Sequence, residues 1–337
     1  MNTIFADPNP AKQCQSGLSI VELLIALVLG MLMVLAITGL VISSKATEAA
    51  QMDATVMNDT ARYALDNIAR SVKQAGYMTR GDPSVPVINQ ERMTPNIMGL
   101  DASTVAATSD GIEFPKKSNN NSSDILVVRF FGSGSESKSG HADRALLNCA
   151  GFGVAAPTSQ KKAELERGWS IYYVANDRNG EPNLYCKYKG TQKDNKDTKF
   201  SAQSIAQGVE SFQVLYGLDT SIPCNGIANQ FLSATEINQL DTDLSLNLPP
   251  NELNRLTHWK KVVAVKVALL IRGTEHSRVD RKPTTYYLFG ESYGKSKGTA
   301  DKGTVISESD ISGPQKASLT QMRNVFSTTI QLKNTIS

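Results

Sequence analysis

From Gly17 the sequence runs Gly-Leu-Ser-Ile-Val-Glu and then stays apolar to Ile42, so that residues 18–42 hold one charge, Glu22. A helix of that length rises about 1.5 Å per residue and reaches about 37 Å, enough to cross a bilayer core with some tilt. The stretch is read as a membrane segment. An unpaired carboxylate in it costs roughly 2.5 to 3.5 kcal/mol near mid-bilayer, so Glu22 needs a cation at its own depth. A cut after Gly17 would place the new amino group of Leu18 one helical turn from Glu22.

A Gly, a hydrophobic residue, and a Glu five positions after the Gly, opening an apolar helix, resemble the class III signal of type IV prepilins. The resemblance implies that a prepilin peptidase cuts between Gly17 and Leu18 and methylates the new amine of Leu18, with Glu22 serving in assembly. Residues 1–17 are then a cleaved leader. The chain departs from the major pilins in having Leu18 where they have Phe, and in a less basic leader. An ordinary secretory signal cut after Ser44-Lys45-Ala46 is the alternative, but its apolar region would far exceed the usual length of roughly 7 to 15 residues.

Beyond the transmembrane span at 18–42, Met57, Ala61, Ala64, Leu65, Ile68, Val72 and Ala75 recur at spacings of three and four, and Gly76 follows. This predicts an amphipathic continuation of the same helix over 43–77 that needs a core against one face. Gly30 and Gly39 either permit bending or close packing, or are simply tolerated in a membrane helix.

Residues 78–337 are expected to form a β-rich globular domain. Thr79 to Asn121 read as connecting loop with one short strand near Gly111–Phe114. Strand patterns follow at 124–131, 169–175, 184–188 and 209–216, the middle two flanking the Asn179-Gly180 turn signal. The clearest runs from Trp259 to Arg272, with Val263, Val265, Val267, Leu269 and Ile271 on one face and Lys266 and Arg272 on the other, which predicts a central strand. Two more are expected at 284–289 and 325–332, with a mobile loop over 291–318. A long helix followed by many strands and little further helix predicts an α+β fold, with the helix packed on an antiparallel sheet and large loop insertions.

That order matches the pilin architecture, and three blocks resemble one branch of it, the PilW family of minor pilins. They are Val209–Gly217, the run from Trp259 into Val265–Arg272, and Phe326–Asn334. Lys333-Asn334 stands where relatives often have Arg-Asn. By resemblance the chain is a non-enzymatic subunit that primes or caps a type IV pilus. It would sit in the bacterial inner membrane with a periplasmic C-terminal domain, then in the pilus at the cell surface. The implied partners are other minor pilins, the major pilin, the prepilin peptidase and the inner-membrane assembly machinery; the implied processes are twitching motility and, in competent bacteria, DNA uptake. A J-type pseudopilin of type II secretion and a membrane-anchored periplasmic adhesin are the alternatives.

Residue chemistry argues against catalysis and cofactors. His141, His258 and His276 are scattered without metal-ligand spacing and are read as surface residues. Gly132-Ser133-Gly134-Ser135 lacks the rest of a phosphate loop and is read as flexible; Asp194, Asn195 and Asp197 lack the Gly and Glu of a calcium loop. Lys187, Lys189, Lys193, Lys196 and Lys199 are read as a solvated face, and a net charge of +3 gives no support to nucleic-acid binding. Cys14 falls in the leader. Of Cys149, Cys186 and Cys224, the first two adjoin predicted strands and are the favoured disulfide, while Cys224 sits in the turn Ile222–Gly226; three free thiols are the alternative.

Overall fold

The computed structural model describes residues 17, 19–79, 85–135, 138–190, 199–274, 277–278, 280, 282–310 and 319–334. The chain divides into two units, Met1–Ala49 and Ala50–Ser337. Helix α1 spans Ile20–Gln74, and Gly30 and Gly39 lie within it without interrupting it.

In the second unit α1 buries Met57, Ala61, Ala64, Ile68 and Val72, the stripe that the spacing predicts. Burying an Ile, Val or Met side chain contributes about 1.5 to 3 kcal/mol each. The helix stops at Gly76, whose φ of +69° suits glycine. A Cβ there would lie 2.5 Å from Asn96 Nδ2 and 2.7 Å from the Asn334 carbonyl oxygen. Asn334 Nδ2 in turn donates to the carbonyl oxygens of Lys73 (3.4 Å) and Ala75 (3.2 Å), satisfying acceptors that a helix end leaves open.

In chain order the main strands are β1 (Ile97–Leu100), β2 (Ile125–Phe130), β3 (Gly168–Asn176), β4 (Pro182–Lys189), β5 (Phe200–Gln207), β6 (Val209–Leu218), β7 (Gln230–Leu232), β8 (Val262–Arg272), β9 (Thr285–Tyr287), β10 (Val305–Ser307) and β11 (Arg323–Gln331). Where one sheet was expected there are two large ones, a five-stranded β1-β2-β3-β4-β5 meander and a four-stranded sheet ordered β7-β6-β8-β11, with β9-β10 as a separate ribbon. All these pairings are antiparallel. The core gathers α1 with Leu126, Val128, Tyr172, Val174 and Leu184 from the first sheet and Phe212, Val214, Tyr216, Val265, Val267, Leu269 and Ile271 from the second.

β8 is central, as its alternation predicts, and its second face is buried too. Ala268 and Leu270 lie under Leu288 and Ile306. The reading of 291–318 as a mobile loop is therefore corrected. Helix α6 (Glu291–Lys297) and β10 form there, and β10 pairs with β9 because the outer face of β8 needs apolar cover; residues 311–318 lie outside the described residues.

Other expectations are also revised. Within Thr79 to Asn121 the strands are β1 and a short antiparallel pair, Ser103–Thr104 with Lys116–Lys117, and none forms at Gly111–Phe114, where Gly111 (φ +47°) and Phe114 (φ +54°) turn the chain. β5 forms by pairing with β4, although its Ser, Ala and Gln residues carry little strand pattern. Gly134–Ser135, read as flexible, pair with Lys138–Ala142. Short helices α2 (Ala163–Glu166), α3 (Ala234–Leu240), α4 (Thr242–Asn247) and α5 (Pro250–Leu256) add helix that was not expected, and Trp259 lies in a 3-10 turn ahead of β8.

A chain of alternating charges lies beside β6, β8 and β11. Arg323 donates from Nε and Nη2 to Glu210 at 2.6 and 3.0 Å, Arg272 to Glu210 at 3.3 Å, and Arg278 to Glu308 at 2.5 and 2.7 Å. Arg272 also pairs with Glu181 from the β3–β4 turn, and Arg323 lies 3.5 Å from Glu308. Burial pushes the Glu308 carboxyl up, but Arg278 and the Thr284 N–H more than offset it and hold it below the usual carboxylate range. Removing one member of such a network leaves a buried charge uncompensated.

Candidate functional site

Ser19 and Glu22 cap the start of α1 reciprocally. The Glu22 N–H donates to Ser19 Oγ at 3.2 Å, and the Ser19 N–H donates to Glu22 Oε2 at 3.3 Å. This is a capping box, satisfying two of the donors that a helix start leaves open. Its Ser-x-x-Glu signature stands in the sequence. Gly17 is exposed beside it. Leu18, at which cleavage and methylation are expected, lies outside the described residues, as do residues 1–16 of the leader.

Every residue from 19 to 48 is exposed, including the apolar side chains Ile20 to Ile42. The Thr38 hydroxyl donates back to the Val34 carbonyl at 2.7 Å, so this polar group is satisfied within the helix. In length and composition α1 is a candidate membrane anchor. Burial within the second unit begins at Asp53, whose carboxylate accepts the Thr274 N–H at 3.0 Å and the Ser277 hydroxyl.

Cys149 and Cys186, the favoured pair, form a disulfide with Cα atoms 5.8 Å apart. Asn67 Nδ2 donates to the Cys149 carbonyl at 3.1 Å, and the Cys149 N–H to Ser170 Oγ at 2.9 Å, so the bridged loop is held to both α1 and β3. Cys224 is free and exposed.

The basic cluster is not one solvated face. Lys187 is fully buried, its ammonium donating to the carbonyls of Ala106 (2.9 Å) and Gly111 (2.7 Å) and to Ser109 Oγ (2.9 Å). Three acceptors match its three hydrogens, while burial pushes its pKa down to about 8. Lys189 donates to the Leu165 carbonyl at 2.6 Å, and Lys199 is exposed. Lys193 and Lys196 lie outside the described residues, together with Asp194, Asn195 and Asp197. His258, expected at the surface, is half-buried with Nδ1 2.6 Å from Asp241 Oδ1; His276 and the side chain of His141 are not among the described groups. Among the described residues no group of three or more His, Cys, Asp or Glu side chains is arranged to hold a metal ion.

An apolar N-terminal helix, a candidate membrane anchor, and an α+β unit with antiparallel sheets stand beside a family match that supports a type IV pilus-related protein. Residues 171–334, just under half of the chain, match the family model of PilW, the type IV pilus-assembly protein W, and the PilW resemblance of the three blocks is thereby shown. A solved type IV-like pilin from Thermus thermophilus is 13% identical, with 86% of this chain and 97% of that chain covered and a TM-score of 0.27, too loose a superposition to bear on the fold. No curated protein matches the chain.

Proposed function

We propose that this chain is a non-enzymatic minor pilin, held in the bacterial inner membrane by α1 with its second unit in the periplasm, that primes or caps a type IV pilus together with other minor pilins. The PilW match over 171–334 carries the reading, because it falls on a chain whose apolar stretch follows Gly17 and has Glu22 as its lone charge up to Ile42. Processing by prepilin peptidase frees and methylates the Leu18 amine, and the subunit then leaves the membrane for the pilus, supporting twitching motility. Glu22 is given two roles, one in capping α1 and one in pairing its charge with an amine at the same depth.

The test is the intact mass of the protein extracted from membranes of its own host. The wild type is expected to lack residues 1–17 and to carry one added methyl group, and Gly17→Ala to retain the leader. A wild-type mass that still includes residues 1–17 overturns the proposal.

A further inference from the structure

The four-stranded sheet ends on β11, and among the described residues no strand pairs with this edge. Leu332 donates to the Val263 carbonyl at 2.8 Å and Gly273 to the Met322 carbonyl at 2.8 Å, which fixes the even-numbered residues of β11 as those hydrogen-bonded to β8. By the alternation of antiparallel ladders, the N–H and C=O groups of Val325, Ser327, Thr329 and Gln331 then point away from the sheet. The Val325 N–H is taken by Asn324 Oδ1 at 2.9 Å, which leaves Ser327, Thr329 and Gln331, all exposed, as the free edge.

Sheet edges are normally blunted by shortness, charge, proline or a bulge. β7 and β1 are three and four residues long, and the β4–β5 pairing carries a register shift. β11 is nine residues long, pairs with β8 without a shift, and has no charge or proline from Asn324 to Leu332.

Beside this edge runs a groove of about 390 Å³ between β11 and α1, lined by Asp66, Ala69, Lys73, Thr328, Ile330 and Leu332 among others. Ala69, Ile330 and Leu332 give it an apolar floor. Lys73 and the neighbouring Lys333 are both exposed and lie at the end where Asn334 grips α1. Among the described residues neither lysine is in an ion pair.

We infer that the β11 edge is a docking site for an extended segment of a different polypeptide, added as a fifth strand, with apolar side chains over the groove and a carboxylate set against Lys73 and Lys333. Backbone pairing with Ser327, Thr329 and Gln331 supplies affinity, and the alternate side chains that meet the groove supply selectivity. A second copy pairing through its own β11 does not fit the charge, since Arg323–Lys333 contains no acidic residue. The inference stands apart from the pilus reading, because it needs only the open edge and the lysines.

The test uses the full-length chain in its own host. A photocrosslinking amino acid replaces Ser327, with a control at exposed Asp243 on α4, and the joined peptides are identified by mass spectrometry. The expected result is a crosslink from 327, not from 243, to a segment of another protein with alternating apolar residues and an Asp or Glu. Thr329→Pro removes an outward N–H at a position where an edge strand tolerates proline, and it should lower that crosslink about tenfold without a change in melting temperature. If the proline variant does not fold, Thr329→Lys blocks the same edge. Lys73→Glu should weaken the crosslink as well. The inference is overturned by a crosslink to a second copy of this chain, by none above the Asp243 control, or by a folded Thr329 variant that crosslinks like wild type.

Discussion

Tyr172 donates its phenolic hydrogen to Asn67 Oδ1 at 2.7 Å in a fully buried position, joining β3 to the amphipathic part of α1 by a polar contact inside an apolar core. The Ser71 hydroxyl lies 2.7 Å from the Tyr172 hydroxyl oxygen and completes the set. Tyr172→Phe keeps the ring but leaves Asn67 and Ser71 unsatisfied. It should cost about 1 to 3 kcal/mol, read as a lower unfolding midpoint in urea for the protein in detergent. An unchanged midpoint would mean that Asn67 and Ser71 find other partners.

Asn334 closes the far end of the same helix. Asn334→Ala withdraws the donors to Lys73 and Ala75. The expected loss is about 1 kcal/mol, with faster amide exchange confined to the last turn of α1. Exchange that rises across the whole second unit would instead point to a global role.

The disulfide links residues 37 positions apart. In the chain-entropy model, closing a loop of that size stabilises by roughly 4 kcal/mol at 25 °C. Cys186→Ser should therefore lower the melting temperature by many degrees under non-reducing conditions. Alkylation of both Cys149 and Cys186 in the wild-type protein would remove the basis for this.

Asp301 gives a pH dependence. It is buried, accepts from Tyr293 at 2.8 Å, and faces Asp101, Glu236 and Lys297; burial above all pushes its pKa up to about 6. The folded state thus holds this proton more tightly than the unfolded chain, so stability is lost as pH rises from roughly 4 to 6. Asp301→Asn removes the titration while its amide oxygen still accepts from Tyr293. Relative to wild type, the variant should melt higher at pH 7.5 than at pH 4.5, by an amount on the order of 1 to 3 kcal/mol. A difference that does not change with pH would show that Asp301 is not the group responsible.

Glu22→Gln separates the two roles given to this residue. A glutamine at the third helical position still completes a capping box, so insertion and leader removal should persist. Pilus number should nevertheless fall if the charge is needed for pairing. Normal pilus numbers in the variant would leave only the capping role.

Much of the second unit was legible because it follows local patterns. The apolar stripe from Met57 to Val72, the Gly76 stop, the β3–β4 turn at Asn179-Gly180 and the alternation of β8 each depend on residues a few positions apart. The Ser-x-x-Glu boxes at Ser19–Glu22 and Ser233–Glu236 are equally local signals, and the second opens α3 with both reciprocal bonds formed. β5 and β10 were missed for a different reason, since each is held by a partner strand more than its own pattern.

By itself the sequence determined the long apolar helix, its amphipathic continuation and strongly patterned strands such as β8, because length, apolar content and periodicity act within a single element. Tertiary structure alone decided that β9 and β10 cover Ala268 and Leu270, that Lys187 is buried on three oxygens, and that Glu210 and Arg323 share a buried ion pair. A charged residue reads as solvated until its partners are known. Those partners lie 113 positions away for Glu210 and 76 to 81 for Lys187, and only the folded chain brings them within hydrogen-bond reach.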